Sequence, residues 1–276
     1  MAVEYVFPTD EELRQIEQDK LPNLLQDRPI FEIMPIETLD SHVLTWEQAD
    51  NYVGLQQVRG LNGEPGRVKP VGARRYTMTP GVYGEFMTID EEQLTARRPY
   101  GGGRGVVDIS DLVMRCQDQL LARRLDRIEW IGWTLLVNGV FAVPHANGGI
   151  QHTDAYTTQQ YTASVPWSNT STATPLANFQ AIKLLGRGRS VSFGRQARAY
   201  MNQITFNHLI NNTNANDLGG KKGEGLAPVV NSAEEINTFF LRNDLPQIVI
   251  VDDGYFDESG TFQPFIPDNK VVVVGR

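Results

Sequence analysis

The sequence predicts an α+β fold made of an arm, a long loop, one spine helix and a mixed unit of helices and strands. Three observations carry that prediction. From Val53 to Arg98 more than forty residues of turn-formers, arginines and short extended pieces follow one another without a core-forming period. Apolar residues then recur at helical spacing from Ile109 to Leu135. After Gly139 the period changes to two, and from Pro166 onward helical and strand-like patterns alternate.

Taken in order, Thr9-Asp10-Glu11-Glu12 has the spacing of a capping box, so a helix is expected over Asp10–Lys20. Pro22, Pro29 and Pro35 should then break regular structure. Phe31, Ile33 and Ile36 alternate as a strand would, making residues 21–40 an arm lying on another surface. The segment from Val53 to Arg98 is far longer than an ordinary connection, and a loop of that length is functional or disordered. A loop that reaches outward needs a partner to bury it.

The spine follows. Ile109, Leu112, Val113, Cys116, Leu120, Leu121, Leu125, Ile128, Ile131 and Leu135 form its apolar stripe, with charged residues between them. Asp108 or Ser110 is placed to cap its start, and Asn138-Gly139 supplies a left-handed stop. About thirty residues at 1.5 Å each make a rod of about 45 Å. Pro99 and the glycines Gly101, Gly102 and Gly103 read as a hinge before it. Val140–Val143, Ile150–Tyr156 and Tyr161–Val165 are expected to pair as a small antiparallel sheet. Thr174-Pro175 opens a helix through Leu185, and a second apolar pattern, Ala197, Met201, Ile204 and Leu209, runs toward Asn211. Ser232-Ala233-Glu234-Glu235 is another capping box, leading to the buried-type strand Gln247–Val251. Residues 255–261 make a turn, and Lys270–Val274 is a closing strand.

Composition excludes several classes. With 41% hydrophobic and 21% charged residues the chain is an ordinary globular one. It has no run of eighteen apolar residues, and Met1–Lys20 is acidic where a secretion signal is basic and then apolar, so a cytoplasmic protein is expected. Cys116 is the single cysteine, which excludes an internal disulfide and any multi-cysteine zinc site. The net charge of −8 argues against a dedicated nucleic-acid binder. Its distribution is uneven: Met1–Asp40 has ten acidic and three basic residues, whereas Gly54–Arg104 has eight basic and five acidic. An acidic arm and a basic loop are suited to meet between subunits, and two separately solvated faces remain the alternative.

No catalytic or cofactor site is legible. His42, His145, His152 and His208 lack metal-ligand spacing, and neither Gly101–Gly105 nor Gly219–Gly223 has the spacing of a phosphate loop. Asp252, Asp253, Asp257 and Glu258 lack the closing glutamate of a calcium loop and read as a solvated hairpin. Asn169 and Asn211 match the glycosylation pattern in a chain without a secretion signal. Cys116 on the apolar side of the spine reads as an inert thiol, and Trp130 and Trp133 as core or interface. The expected chain is therefore a non-enzymatic assembly protein without cofactor or metal.

One family combines these features. Gly54-Leu55 with Arg59, the prolines Pro65 and Pro70, Tyr76, the piece Thr79–Glu85 and Ile89-Asp90-Glu91-Glu92, followed by the long helix, resemble the lambda-type major capsid proteins of tailed phages. A second match runs through Leu245, Pro246, Ile248, Asp253, Tyr255, Asp257 and Gly260 to Phe265–Gly275. The resemblance implies the Hong Kong ninety-seven type capsid fold. It assigns 1–47 to an N-terminal arm, 48–98 to an extended E-loop over a neighbouring subunit, 99–165 to a peripheral domain and 166–276 to an axial domain. It implies assembly through hexamers and pentamers into an icosahedral head around double-stranded DNA, with scaffold, portal and decoration proteins as partners.

On that reading the candidate contacts between subunits are Arg59, Arg67, Lys69, Arg74, Arg75, Tyr83 and Glu85, with Gly101–Gly103 as the hinge. Family members usually return to the peripheral domain after the strand matching Lys270–Val274, so a peripheral sheet one strand short is expected. Lys69 is the loop's single lysine, and lambda-type members are held by decoration proteins, so no covalent cross-link is expected. Two other classes stay open: a nanocompartment shell of the same fold enclosing cargo enzymes, and an unrelated cytoplasmic α/β enzyme.

Overall fold

The computed structural model describes residues 5–6, 8–37, 40–41, 43–49, 54–90, 92, 107–144, 149–188, 191–212 and 233–275. The proposed hinge Gly101–Gly103, His42, His145, Ser232 and most of the Asn212–Gly225 loop lie outside these residues. The chain divides into two units, one of Met1–Ile36, Glu85–Ala142 and Thr153–Arg276, the other of Glu37–Gly84 and Val143–His152.

The first unit is built on a three-stranded sheet. Strands β7 (Arg198–Met201), β8 (Gln247–Ile250) and β11 (Val272–Val274) have the order β11-β7-β8, with β7 antiparallel to β11 and parallel to β8. Successive side chains of a strand face opposite ways, and β7 uses both faces. Ala199 and Met201 enter one core with Trp167, Leu176, Phe179, Phe206, Phe240 and Ile248, while Tyr200 enters the other with Leu125, Trp133, Val251 and Ile266. Helices α4 (Pro175–Leu185), α5 (Gln203–Ile210) and α6 (Ala233–Arg242) supply the first core. The expected pattern from Ala197 to Leu209 is thus two elements. Asn202 divides them, its side chain accepting from the Thr205 backbone N–H at 2.9 Å and capping α5.

The expected strand Gln247–Val251 is present as β8. Its outward backbone is covered by the side chain of Asn237, which accepts from Ile248 N–H at 2.6 Å and donates to Ile248 O at 3.0 Å. A carboxamide here imitates a neighbouring strand and closes the sheet edge. The expected solvated turn after it is the hairpin β9 (Gly254–Phe256) and β10 (Phe262–Pro264), whose corner is tied by Asp257 Oδ1 accepting from the backbone N–H groups of Ser259 and Thr261.

The other core rests on the spine helix α3 (Ser110–Asn138), which ends at Gly139 with φ +73°, the left-handed stop read from the sequence. Its buried stripe is Leu121, Leu125, Glu129, Trp133 and Val137, each four residues after the last. Trp133 is fully buried, tilted against Tyr200 with ring centroids 5.4 Å apart.

On this spine lie α1 (Asp10–Gln26) and α2 (Pro29–Ile33). The capping box forms, with Glu12 N–H donating to Thr9 Oγ1 and Thr9 N–H to Glu12 Oε2 at 2.8 Å. Two expectations are corrected. The helix does not stop at Lys20 but runs through Pro22, because Leu21, Leu24 and Leu25 pack against the α3 core and outweigh one missing N–H. Phe31 and Ile33 are helical rather than extended: Pro29 sits at a first-turn position, and the adjacent residues Ile30 and Phe31 are both buried, which a strand with one covered face does not allow. The segment read as resting on another surface therefore packs, through α2, on its own chain.

Gly132 explains how α2 comes so close. A Cβ built there would stand 2.9 Å from Ile30 Cγ1 and 3.2 Å from its Cδ1. Helix propensity favours Gly132→Ala by about 1 kcal/mol, and overpacking against a buried branched side chain costs about 1–3 kcal/mol. The expected result is a net loss of about 1 kcal/mol, read as a lowered urea midpoint; a raised midpoint would show that α2 yields.

Strand β1 (Tyr5–Val6) pairs in parallel with β4 (Val107–Asp108). Strand β5 (Val140–Pro144) pairs with β6 (Ile150–Ala155) as read from the sequence. Tyr161–Val165 adds no third strand. Side chains hold this stretch instead: Gln160 Nε2 donates to Val137 O at 3.3 Å and the Tyr161 hydroxyl to Asn178 Oδ1 at 3.1 Å.

The second unit contains the two-stranded ribbon of β2 (Leu44–Ala49) and β3 (Ala73–Met78), antiparallel and in register from Leu44 opposite Met78 to Ala49 opposite Ala73. Among the described residues no helix is long and apolar enough to cross a membrane.

Candidate functional site

The long segment after β2 carries most of the candidate contact residues. From Gly54 to Gly72 it has no helix or strand. Its corner is a turn in which Gly63 N–H donates to Gly60 O at 2.9 Å and Asn62 takes φ +73°. Asparagine tolerates that left-handed position, which a branched residue resists. Arg59 clamps the turn, donating through Nη1 to Gly63 O at 3.2 Å. The two legs come close at Gly66, where a Cβ would stand 2.2 Å from Oε1 of the exposed Gln57 side chain.

What this segment lacks is a core. Leu55 is 95% exposed, Val58 and Leu61 are 100% exposed, Val82 76% and Phe86 86%. Burying a valine, leucine or phenylalanine is worth about 1.5–3 kcal/mol each. A run of such residues left in water marks a surface meant to be covered. The ribbon has the same character. All of β2 and β3 is exposed except the half-buried Leu44 and Met78 at one end, and an isolated two-stranded ribbon is marginal in water. Trp46 stacks on its cross-strand partner Tyr76, with centroids 5.5 Å apart and planes inclined by 18°. Leu44, Trp46 and Gln48 share one face with Met78, Tyr76 and Arg74, and the opposite face sets Glu47 across from Arg75.

Five of the seven candidate residues, Arg59, Arg67, Lys69, Arg74 and Arg75, are exposed cations on this loop and ribbon. Among the described residues Arg67, Lys69 and Arg75 have no ion-pair partner. The other two are engaged within the chain. The Tyr83 hydroxyl is 2.6 Å from His152 Nδ1, and the ring of His152 takes the space that a Cβ on Gly81 would fill. Glu85 receives a two-pronged bond from Arg123 of the spine, Nε to Oε2 at 2.6 Å and Nη2 to Oε1 at 2.9 Å. That hydrogen bond holds the Glu85 carboxyl below its ordinary range. Trp46 and the exposed apolar residues were not among the sequence candidates. The ribbon was not read from the sequence either; the alternation of Leu44 and Trp46 across Thr45 is the signal that could have found it.

The acidic half of the expected pairing is partly used inside the chain. Glu17 meets Arg124 at 3.3 Å and Glu32 meets Arg198 at 2.5 Å. Between α1 and α3 the sign is also reversed, with Lys20 2.6 Å from Asp118.

The model of one sequence family, described as phage major capsid protein E, matches residues 11–276. The chain belongs to that family. The chain is also similar to a solved structure described as the putative capsid protein of a prophage of E. coli CFT073, with 13% sequence identity and a TM-score of 0.35. That match covers 70% of this chain and 58% of the other, so it spans less than two thirds of that relative's length. No curated protein matches it. Membership fits a chain with a large uncovered apolar loop.

Proposed function

We propose that this protein is the major capsid protein of a tailed phage, assembling through hexamers and pentamers into an icosahedral head around double-stranded DNA. The observation that carries the reading is the family match over nearly the whole chain, on a protein whose longest loop has no internal core. In this reading residues 48–98 are the E-loop of a Hong Kong ninety-seven type fold and lie over a neighbouring subunit. Residues 1–47 are the arm, 99–165 the peripheral domain and 166–276 the axial domain, with Gly101–Gly103 as the hinge that adapts one chain to rings of different curvature. Scaffold, portal and decoration proteins are the further partners, and the finished protein resides in the virion after assembly in the host cytoplasm.

The loop cations Arg59, Arg67, Lys69, Arg74 and Arg75 serve as contacts to the next subunit. Electron microscopy of the expressed chain should show closed shells or ring-shaped capsomers, and a protein that remains monomeric in every condition would overturn the reading. Reversing charge at Lys69, Arg74 and Arg75 together should leave the circular dichroism spectrum unchanged and reduce shell yield at least tenfold. Unchanged yield would remove these residues from the interface.

A further inference from the structure

From Ala155 to Asn216 the chain carries five basic residues, Lys183, Arg187, Arg189, Arg195 and Arg198, and no aspartate or glutamate, although its net charge is −8. An acidic chain repels a polyanion except where its cations are concentrated. The fold brings part of this segment to one opening. A cavity of about 610 Å³ is lined by Arg195, Gln196, Arg198, Leu241 and Gln247. Arg198 and Gln247 are the first residues of β7 and β8 and stand opposite each other in the sheet, Arg195 and Gln196 come just before them, and Leu241 belongs to the last turn of α6. Each of the four polar lining side chains carries N–H donors, and no carboxylate is among them.

The surroundings hold these residues in place. Asp244 accepts from the Arg195 backbone N–H at 3.1 Å through Oδ1 and from Lys183 Nζ at 2.5 Å through Oδ2, so it fixes the loop and leaves Lys183 already paired. Arg198 gives Nη1 to the Glu32 carboxylate at 2.5 Å, a half-exposed pairing that an incoming phosphate must share or displace.

We infer that this opening is a phosphate-binding site that takes the phosphodiester backbone of a nucleic acid through Arg195 and Arg198, with Gln196 and Gln247 as neutral donors. The inference rests on the proposed shell reading and gives the enclosed DNA a named contact. Guanidinium and carboxamide groups reach phosphate oxygens whatever the base, so binding here is independent of nucleotide sequence. Free inorganic phosphate shares the chemistry.

The test is fluorescence anisotropy of two labelled duplexes of unrelated sequence, each about 20 base pairs, titrated with the full-length chain between about 50 and 200 mM salt. The parent should bind both alike. Arg195→Gln with Arg198→Gln should weaken binding at least tenfold and reduce the slope of log K against log salt by about 1 for each arginine removed. Arg195→Gln alone leaves the Glu32 pair intact and should give about half the slope change with an unaltered circular dichroism spectrum. Equal binding by parent and double variant would overturn the site while leaving the shell reading standing, provided the parent still forms shells. Inorganic phosphate binding that depends on both arginines while duplex binding does not would overturn it as well. So would a peptide of sequence Met1–Asp40 that binds through Arg195 and Arg198 in place of the duplex, because the natural ligand would then be an acidic segment of another copy.

Discussion

Deletion of residues 60–84 is expected to abolish shell formation and leave the helical circular dichroism signal within about a tenth of its parent value. No residue in that range is buried, and Leu61, Val68 and Val82 are 100%, 66% and 76% exposed. Both hydrophobic cores are made entirely by residues elsewhere in the chain. What goes is strand β3, the Trp46–Tyr76 stack and the Tyr83–His152 contact, and none of these residues belongs to either core. Stability depends mainly on apolar surface removed from water, and this segment removes little. Its exposed valines and leucines become stabilising only when another copy covers them, so assembly alone should respond. Global unfolding of the variant would show that the loop supports a core and would sink the idea that its partner is another subunit.

Arg28→Ala is expected to destabilise the folded chain by about 3–5 kcal/mol, the cost of leaving a buried charge without its partner. Glu129 is 1% exposed in the middle of the spine stripe. Arg28 reaches it from the loop between α1 and α2, Nη1 to Glu129 Oε2 at 2.7 Å, and binds Asp126 Oδ1 through Nη2 at 2.6 Å. The Trp133 indole N–H donates to Glu129 Oε1 at 3.2 Å. Burial pushes the Glu129 carboxyl above its ordinary value, against the pull of the Arg28 charge.

The sign of the pH dependence follows. A carboxyl whose folded value is raised holds its proton in the folded state after the unfolded chain has lost it, so its contribution to stability falls as pH rises through that window. Removing Arg28 raises the folded value further and widens the window upward. The loss caused by Arg28→Ala should therefore be smaller at low pH, where Glu129 is neutral, than at neutral pH. Urea denaturation at pH 5 and pH 7.5 checks this, together with the double variant Arg28→Ala/Glu129→Gln, which should recover part of the loss. A deficit that is equal at both pH values would remove Glu129 as its cause.

Features governed by near neighbours were legible in the sequence. The Thr9–Glu12 capping box, the stop at Gly139 and the buried-type strand β8 all formed where the residues indicated, because each depends on contacts within a turn or on a short continuous apolar run. The uncovered loop was legible as well, since a stretch without apolar period has no means of making a core. The exposed cations of the loop were legible in the sequence, but its uncovered apolar residues were not. Isolated valines and leucines such as Leu55, Val58 and Leu61 look ordinary in a sequence, and only their exposure shows that nothing in the chain covers them.

The sequence by itself determined the α+β class, the spine and its end, the uncovered loop, and the caps of the first helix, because these follow from local hydrogen bonding and periodicity. Tertiary structure decided that α1 continues through Pro22, that Phe31 is helical, that Gly132 makes room for Ile30, and that a glutamate occupies a core position. Arg28 and Glu129 lie 101 residues apart in the chain. A charge in an apolar stripe is a defect until its partner is in place, and no local pattern records a partner that only the folded backbone brings within hydrogen-bond distance.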